Sequence, residues 1–182
     1  NFDLIEKMVT AAAQAGATIA KFQTWREDAL KPGPWDTDGR RDIYRKAQLT
    51  TEDFIKVKKI CDQNTIQFMT SIFSAEDIDD MAMVSSKSVK VPSPEINNSK
   101  ILETVGDAFE HVYLSTGAST ETEIDNAIKI LNNSSCQFTL LHCVSLYPCP
   151  DNKVNILRIN ELKKKHHNIG FSDHTPDNLS AI

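Results

Sequence analysis

The 182-residue chain lacks several features that would assign it to a specialised class of protein. No apolar run approaches the roughly 20 residues that span a bilayer. The first residues, which include Asp3 and Lys7, do not follow the order of a signal peptide. We therefore expect a cytoplasmic protein with no membrane partner. The formal net charge of -5 provides no general basic field, so a nucleic-acid partner is not expected.

Cysteine is also scarce. The four cysteines, Cys61, Cys136, Cys143 and Cys149, show no paired C-x-x-C spacing. Because a chain of this size can form a hydrophobic core without covalent cross-links, we predict reduced thiols. The remaining composition, 40% apolar and 25% charged, is typical of one soluble globular domain.

The sequence does contain a regular alternation of two patterns. Short apolar runs predict six strands, over 17–22, 66–69, 89–91, 111–114, 138–141 and 169–171. Amphipathic spacing predicts helices, over 2–14, 75–84, 99–105, 120–131 and 156–164. Strands without polar residues in alternation are buried on both faces, and intervening helices indicate parallel crossovers. The long charged segment 25–49 interrupts the alternation and is predicted to be a loop over the site.

This alternation predicts the α/β class, specifically a (β/α)8 TIM barrel that is incomplete in this chain. A full barrel takes about 250 residues and eight strands. We therefore expect residues 1–182 to form a partial barrel domain that lacks the first and last units. An open, doubly wound sheet of six strands is the alternative.

Polar residues fall at or beside the predicted carboxyl ends of these strands. Lys21 is placed after a strand that ends at Ala20, and the others are Ser71, Lys90, Ser93, Glu95, Ser145, Tyr147, Ser172 and His174. In a barrel these ends form one face, on which active sites are assembled. Lysine ammonium groups together with serine hydroxyls suit the oxygens of a phosphate. The residues alone thus predict a phosphate-binding barrel with Glu95 as a candidate acid or base and His174 as a candidate metal ligand. His142 suits a buried structural role as well as a ligand role and is left out of the metal shell.

Six segments, in order along the chain, resemble N-acetylneuraminate (sialic acid) synthase and related synthases of nonulosonic acids. They are Ala20–Gln23, Phe73–Ser74, Val89–Glu95 with Asn97–Asn98, Leu114–Gly117, Leu140–Pro148 and Gly170–Thr175. Two departures stand beside them, since Thr70-Ser71-Ile72 replaces a frequent Ser-Thr-Pro and Ser145 replaces an occasional asparagine. Both departures retain a hydrogen-bond donor.

The resemblance implies a reaction and a set of roles. The family joins phosphoenolpyruvate to an open-chain amino sugar, N-acetylmannosamine or a related hexose, with the help of Mn²⁺ or Mg²⁺. Phosphoenolpyruvate would be held by Lys21, Ser71, Lys90, Ser93, Ser145 and Ser172. Lys90 and Glu95 would be catalytic, Tyr147 and Glu95 would line the sugar site, and His174 would bind the metal.

The resemblance also implies parts that this chain does not contain. They are an acidic residue and a histidine on a first strand, a second metal-binding histidine on a last strand, and a small antifreeze-like domain. We therefore expect the isolated chain to be inactive and the full-length protein to be a homodimer. Two other functions remain open, a Schiff-base aldolase acting through Lys90 and a non-catalytic barrel fragment that binds an anion or a sugar.

Overall fold

The computed structural model describes residues 1–30 and 32–176. They form two compact units, the first from Asn1 to Ser86 and the second beginning at Lys87. Both units consist of parallel strands that alternate with helices, as the sequence predicted. Within the described ranges, no helix is both long enough and apolar enough to cross a bilayer.

The N-terminal unit pairs two parallel strands and surrounds them with helices. Its main elements are α1 (Phe2–Gln14), β1 (Ile19–Thr24), α2 (Arg40–Ala47), α3 (Thr51–Gln63), β2 (Gln67–Ile72) and α4 (Ile78–Val84). Strand β1 lies parallel to β2, with Ile19 opposite Gln67 and Thr24 opposite Ile72. The core lies between this pair and α3, where Phe54 stacks edge-on against Phe68 with ring centroids 6.1 Å apart.

The prediction of a loop over residues 25–49 was wrong in part, because α2 forms within it; position 31 lies outside the described residues. The Arg41 guanidinium explains how this segment is held. Its Nη1 donates to Glu27 Oε1 at 2.8 Å and its Nε donates to Asp36 Oδ1 at 2.6 Å. The charges of this segment therefore pair with each other and stabilise a short helix.

Helix α3 was absent from the sequence interpretation, although its signals are present. Thr50 accepts a hydrogen bond from the Asp53 backbone N–H, and the Asp53 carboxylate accepts one from the Thr50 N–H. This capping box begins the helix. Phe54, Val57 and Cys61 follow at helical spacing and are at most 1% exposed.

The C-terminal unit contains four strands in an unbroken parallel ladder. Its elements are β3 (Ser88–Val91), α5 (Ser99–Ala108), β4 (His111–Ser115), α6 (Glu121–Asn132), β5 (Gln137–His142), α7 (Arg158–Lys163) and β6 (Ile169–Phe171). Each strand pairs with the next one along the chain. This order is the one expected of successive barrel units, whereas a doubly wound sheet reverses its direction at a switch point. Helix α6 begins with a capping box between Thr120 and Glu123.

The strand bounds correct one placement. Lys21 lies inside β1, which continues to Thr24; this agrees with the predicted strand over 17–22 and corrects the placement of Lys21 after a strand that ends at Ala20. Since side chains alternate between faces, Lys21 and Gln23 share one face of β1. Strand β1 continues beyond Lys21 because Phe22 and Thr24 point to the opposite, inward face. Phe22 stacks on Phe68, and Thr24 is 5% exposed.

Candidate active site

In the N-terminal unit, Lys21 approaches a serine at the end of the neighbouring strand. Its Nζ donates to Ser71 Oγ at 3.4 Å, and Ser71 is only 2% exposed. Beside this pair, the hydroxyls of Thr24 and Thr70 share a buried hydrogen bond of 2.8 Å that joins the ends of β1 and β2. The predicted Lys21 and Ser71 are thus brought together on a fixed strand edge.

In the C-terminal unit, a second lysine makes the equivalent contact over a longer stretch of chain. Lys90 Nζ on β3 donates to Ser172 Oγ, just after β6, at 3.1 Å. The Ser172 backbone N–H donates to the carbonyl of His142 at 2.8 Å, which fixes the position of the serine. Burial lowers the pKa of the Lys90 ammonium, and the nearby Cys143 thiol partly opposes that shift. A half-buried cation beside a hydroxyl suits an anionic ligand.

Ser93 lies in the same unit but is already engaged within the protein. Its Oγ accepts a hydrogen bond from the Gly117 N–H at 3.0 Å and contacts Cys143 Sγ at 3.3 Å. A Cβ added at Gly117 would lie 2.5 Å from that sulfur, so only glycine fits this close approach. Ser93 therefore links the loops after β3, β4 and β5, and the residue is 7% exposed.

Three of the four remaining predicted residues, Glu95, Ser145 and Tyr147, differ in their surroundings. Glu95 ends a short 3-10 turn that begins at Ser93, and its Oε2 accepts from Asn98 Nδ2 at 3.1 Å. Ser145 is exposed in the segment after β5. Tyr147, in the same segment, is 76% exposed and its ring centroid lies 4.2 Å from that of His174.

His174 has one ring nitrogen in use and one available. Its Nδ1 lies 2.7 Å from the carbonyl of Val144 and must donate to it, which leaves the Nε2 lone pair free to bind a metal. This geometry fits the role of a single ligand. Among the described ranges, no group of three His, Cys, Asp or Glu side chains is placed to hold a metal ion. The described residues therefore supply part of a metal shell at most.

His142 has the opposite character. It is 4% exposed, and its Nε2 donates to the carbonyl of Val154 at 2.7 Å. Its ring stacks on Phe171 with centroids 5.7 Å apart. His142 is thus a buried residue that joins β5 to the segment before α7.

Ser115 lies at the end of a predicted strand, but the sequence analysis assigned it no role in the site. It is the last residue of β4 and is 2% exposed, and its Oγ has no hydrogen-bond partner among the described residues. A buried hydroxyl without a partner is costly, so a ligand or water is expected there. Its place in the Ser115-Thr116-Gly117 motif was the available signal.

With this geometry in view, comparisons with known proteins place the chain among related sequences. Residues 8–182 match the NeuB family. An N,N'-diacetyllegionaminic acid synthase of Campylobacter jejuni is 27% identical, over 96% of this chain and 57% of that protein. An uncharacterized protein of Methanocaldococcus jannaschii is 30% identical over the whole chain and 54% of its own length. The chain thus spans about half the length of the curated relatives that it matches.

A solved structure agrees in fold. The sialic acid synthetase of Leptospira borgpetersenii, crystallised with citrate, superposes with a TM-score of 0.89 and 27% identity. That superposition covers 97% of this chain and 61% of the other. The α/β class and the incomplete barrel predicted from the sequence are confirmed.

Proposed function

This chain belongs to the NeuB family, and from that premise we propose that it forms part of an enzyme that condenses phosphoenolpyruvate with an N-acetylated amino sugar. The products are a sialic-acid-type nonulosonic acid and inorganic phosphate. The observation that carries the proposal is the half-buried contact of 3.1 Å between Lys90 and Ser172. Lys90 lies near the carboxyl end of its parallel strand, where barrel enzymes assemble their active sites.

In this proposal the two lysine and serine pairs hold the anionic groups of phosphoenolpyruvate. Lys90 with Ser172, and Lys21 with Ser71, provide ammonium and hydroxyl donors for the phosphate and carboxylate oxygens. Ser145 adds an exposed hydroxyl, and the partnerless Ser115 adds a buried one. Ser93 positions the surrounding loops through Gly117, and a direct contact with the ligand would use its remaining lone pair.

His174 would hold a divalent metal, Mn²⁺ or Mg²⁺, through Nε2. Such an ion would polarise the sugar aldehyde as a Lewis acid. Tyr147, whose ring packs against His174, would line the sugar site.

The chain's own residues then act by position and charge. With the phosphate fixed by Lys90, C3 of phosphoenolpyruvate forms a bond to the aldehyde carbon of the sugar, and the aldehyde oxygen takes up a proton to become a hydroxyl. Water adds at C2 and gives up one proton. Phosphate then leaves with cleavage of the C2–O bond and takes the proton of the C2 hydroxyl, so that C2 becomes a ketone. Glu95, held by Asn98, is placed to accept the proton of that water or to bind sugar hydroxyls. Fixing two reactants in this way removes part of the entropic barrier.

The test uses the natural full-length protein. Phosphate release from phosphoenolpyruvate is measured with and without amino sugar and Mn²⁺, and the product is identified by mass spectrometry. We expect release only when all components are present, and loss of activity with a chelator. Lys87→Ala serves as the matched control for Lys90→Ala, because Lys87 pairs with Glu110 at the surface. Absence of phosphate release with every amino sugar would refute the proposal.

One observation favours a second candidate. Because burial lowers the pKa of Lys90, its neutral amine is more accessible than that of an ordinary lysine, as a Schiff-base aldolase requires. Borohydride trapping of a keto substrate on Lys90 would support the aldolase, whereas the synthase is not trapped. Phosphate release that depends on the sugar also distinguishes the synthase from a barrel that only binds anions or sugars.

The proposal extends to the setting of the reaction. We place the enzyme in the cytoplasm, where phosphoenolpyruvate is available, and as a homodimer at full length. We also expect residues 1–182 alone to show no turnover. Light scattering of the full-length protein and an assay of the isolated chain test these two points.

A further inference from the structure

His142, the last residue of β5, has no role in the reaction proposed above, although it lies beside the candidate anion site. It is 4% exposed, and a polar ring that is buried so fully needs hydrogen-bond partners within the protein. Its Nε2 lies 2.7 Å from the carbonyl oxygen of Val154, so this nitrogen must carry a hydrogen and donate it. Val154 is itself 4% exposed. The imidazole therefore joins the end of β5 to a buried point of the segment before α7.

The other contacts of His142 are made with the end of β6. In the strand register His142 lies opposite Phe171, and the two rings stack with centroids 5.7 Å apart and an interplanar angle of 19°. The carbonyl of His142 accepts a hydrogen bond from the Ser172 N–H at 2.8 Å. One residue of β5 thus holds two successive residues of the neighbouring strand end, the first by its ring and the second by its backbone.

Ser172 in turn gives the Lys90 side chain its partner. Lys90 Nζ donates to Ser172 Oγ at 3.1 Å, across 82 residues of sequence. The ammonium group of a lysine sits on a flexible four-carbon stem, so its position depends on the groups that accept from it. The contacts therefore form a continuous path from the Val154 carbonyl through His142 to Ser172 and Lys90.

We infer that His142 is a positioning residue for anion binding. Its bond to Val154 fixes the end of β5, and through that strand end it fixes the Ser172 hydroxyl and the Lys90 ammonium. The inference rests on the proposed function, which assigns these two groups to phosphoenolpyruvate. It deepens that function by naming a residue that does not touch the ligand and on which the geometry of the anion site depends.

The test measures the Kd of phosphoenolpyruvate by calorimetry with the full-length protein. His142→Phe keeps a ring that can stack on Phe171 and removes the N–H donor, whereas His142→Gln keeps a side-chain N–H donor and removes the ring. We expect His142→Phe to raise the Kd by about 10-fold, at the lower end of the effect that outer partners of a binding group have, and His142→Gln to restore most of the affinity. His111→Phe is the matched control. His111 begins β4, its Nε2 lies 2.8 Å from Thr139 Oγ1, and its replacement should leave the Kd unchanged.

A double-mutant cycle separates positioning from a general loss of stability. In a Ser172→Ala background, His142→Phe should cause no further rise in the Kd, because the serine through which it acts is absent. Effects of independent sites would multiply instead. Phe171→Leu is a second variant, since it removes the ring stacking and leaves the Val154 carbonyl paired. Its smaller rise in the Kd should also vanish in the Ser172→Ala background.

Each outcome decides the inference. A rise in the Kd that disappears with Ser172→Ala supports it. An unchanged Kd in His142→Phe, or a rise that multiplies with that of Ser172→Ala, overturns it while the proposed function stands. If His142→Phe does not fold, the same two results with Phe171→Leu decide. Absence of phosphoenolpyruvate binding by the unchanged full-length protein would overturn the inference and the proposed function together.

Discussion

The two units present a lysine to a serine in different surroundings. Lys21 and Ser71 come from adjacent strands, and the Lys21 side chain is exposed. Lys90 and Ser172 are 82 residues apart in the sequence and lie on the first strand and just after the last strand of the four-strand ladder, and the Lys90 side chain is half-buried. The same two residue types therefore experience different dielectric surroundings. A charge acts more strongly on a ligand in less polar surroundings. We therefore expect Lys90 to contribute more to anion binding than Lys21.

The units also differ in how they hold the segments that follow their strands. In the N-terminal unit, the described part of residues 25–49 contains ion pairs from Arg41 to Glu27 and Asp36. In the C-terminal unit, the loops after β3, β4 and β5 meet through Ser93, Gly117 and Cys143 at close contact. Ion pairs at a surface are weakened by salt and tolerate small movements of their side chains. A close-packed contact is insensitive to salt and does not tolerate such movements. This difference leads to four predictions.

The largest expected effect tests the two lysines directly. In the full-length protein, Lys90→Ala should lower kcat/KM for phosphoenolpyruvate by about 10²- to 10³-fold, as removal of a buried electrostatic contact does. Lys21→Ala should cost about tenfold less, because its exposed charge is screened by water. Lys87→Ala should have no effect. Equal losses for Lys21→Ala and Lys90→Ala in steady-state kinetics would remove the distinction between the units.

A pair of glycines tests the packing difference. Gly117→Ala should destabilise the protein by about 1–3 kcal/mol through overpacking, because the new Cβ would lie 2.8 Å from the Cys143 carbonyl oxygen. Gly16, with φ of 90° and open space around it, should tolerate Asn, which adopts left-handed backbone readily. Gly117→Asn should be worse than Gly117→Ala. Thermal unfolding midpoints measure these effects, and a tolerated Gly117→Asn would show that Cys143 moves aside.

The lowered pKa of Lys90 predicts a pH effect. Its positive charge is lost as pH rises through the lowered pKa, so affinity for phosphoenolpyruvate should begin to fall at a pH below about 10.4, the pKa of an ordinary lysine. Lys90→Arg should keep its charge and move that decline to higher pH. Calorimetric titration with phosphoenolpyruvate at several alkaline pH values measures this decline in affinity, and Lys87→Arg is the control. An unchanged profile in Lys90→Arg would mean that another group sets the decline.

The smallest expected effect concerns the ion pairs around Arg41. In Arg41→Met, or in the unchanged protein at high salt, amide hydrogens of residues 27–45 should exchange several-fold faster. Lys165→Met removes an ion pair to Asp125 in the C-terminal unit and should leave that segment unchanged. Hydrogen-exchange mass spectrometry of Arg41→Met and Lys165→Met measures the exchange rates of this segment in both variants. Exchange that is insensitive to both changes would show that apolar contacts around Tyr44 hold the segment.

Much of the fold was accessible from the sequence. Each of the six predicted strands is present, because a short apolar run between helical patterns has few other stable arrangements. The family that the motifs predicted is confirmed as well. Helices α2 and α3 were missed, since abundant charge around Arg41 and Lys58 obscured the buried face formed by Phe54 and Val57.

The candidate site was predictable in composition and not in pairing. Lys21, Lys90 and His174 were selected by residue type and position near strand ends. That Ser93 is occupied by Gly117 and Cys143, and that Ser115 lacks a partner, depends on contacts between residues more than 20 positions apart. No local pattern encodes such contacts.

By itself, the sequence determined the alternation of strands and helices, the family and the chemical types available for binding an anion. Only the tertiary structure decided that Lys90 is half-buried while Lys21 is exposed, that His174 keeps Nε2 available, and that His142 holds Ser172. The physical reason is that periodicity and capping act over a few residues, whereas burial and hydrogen-bond partners arise from packing between distant segments.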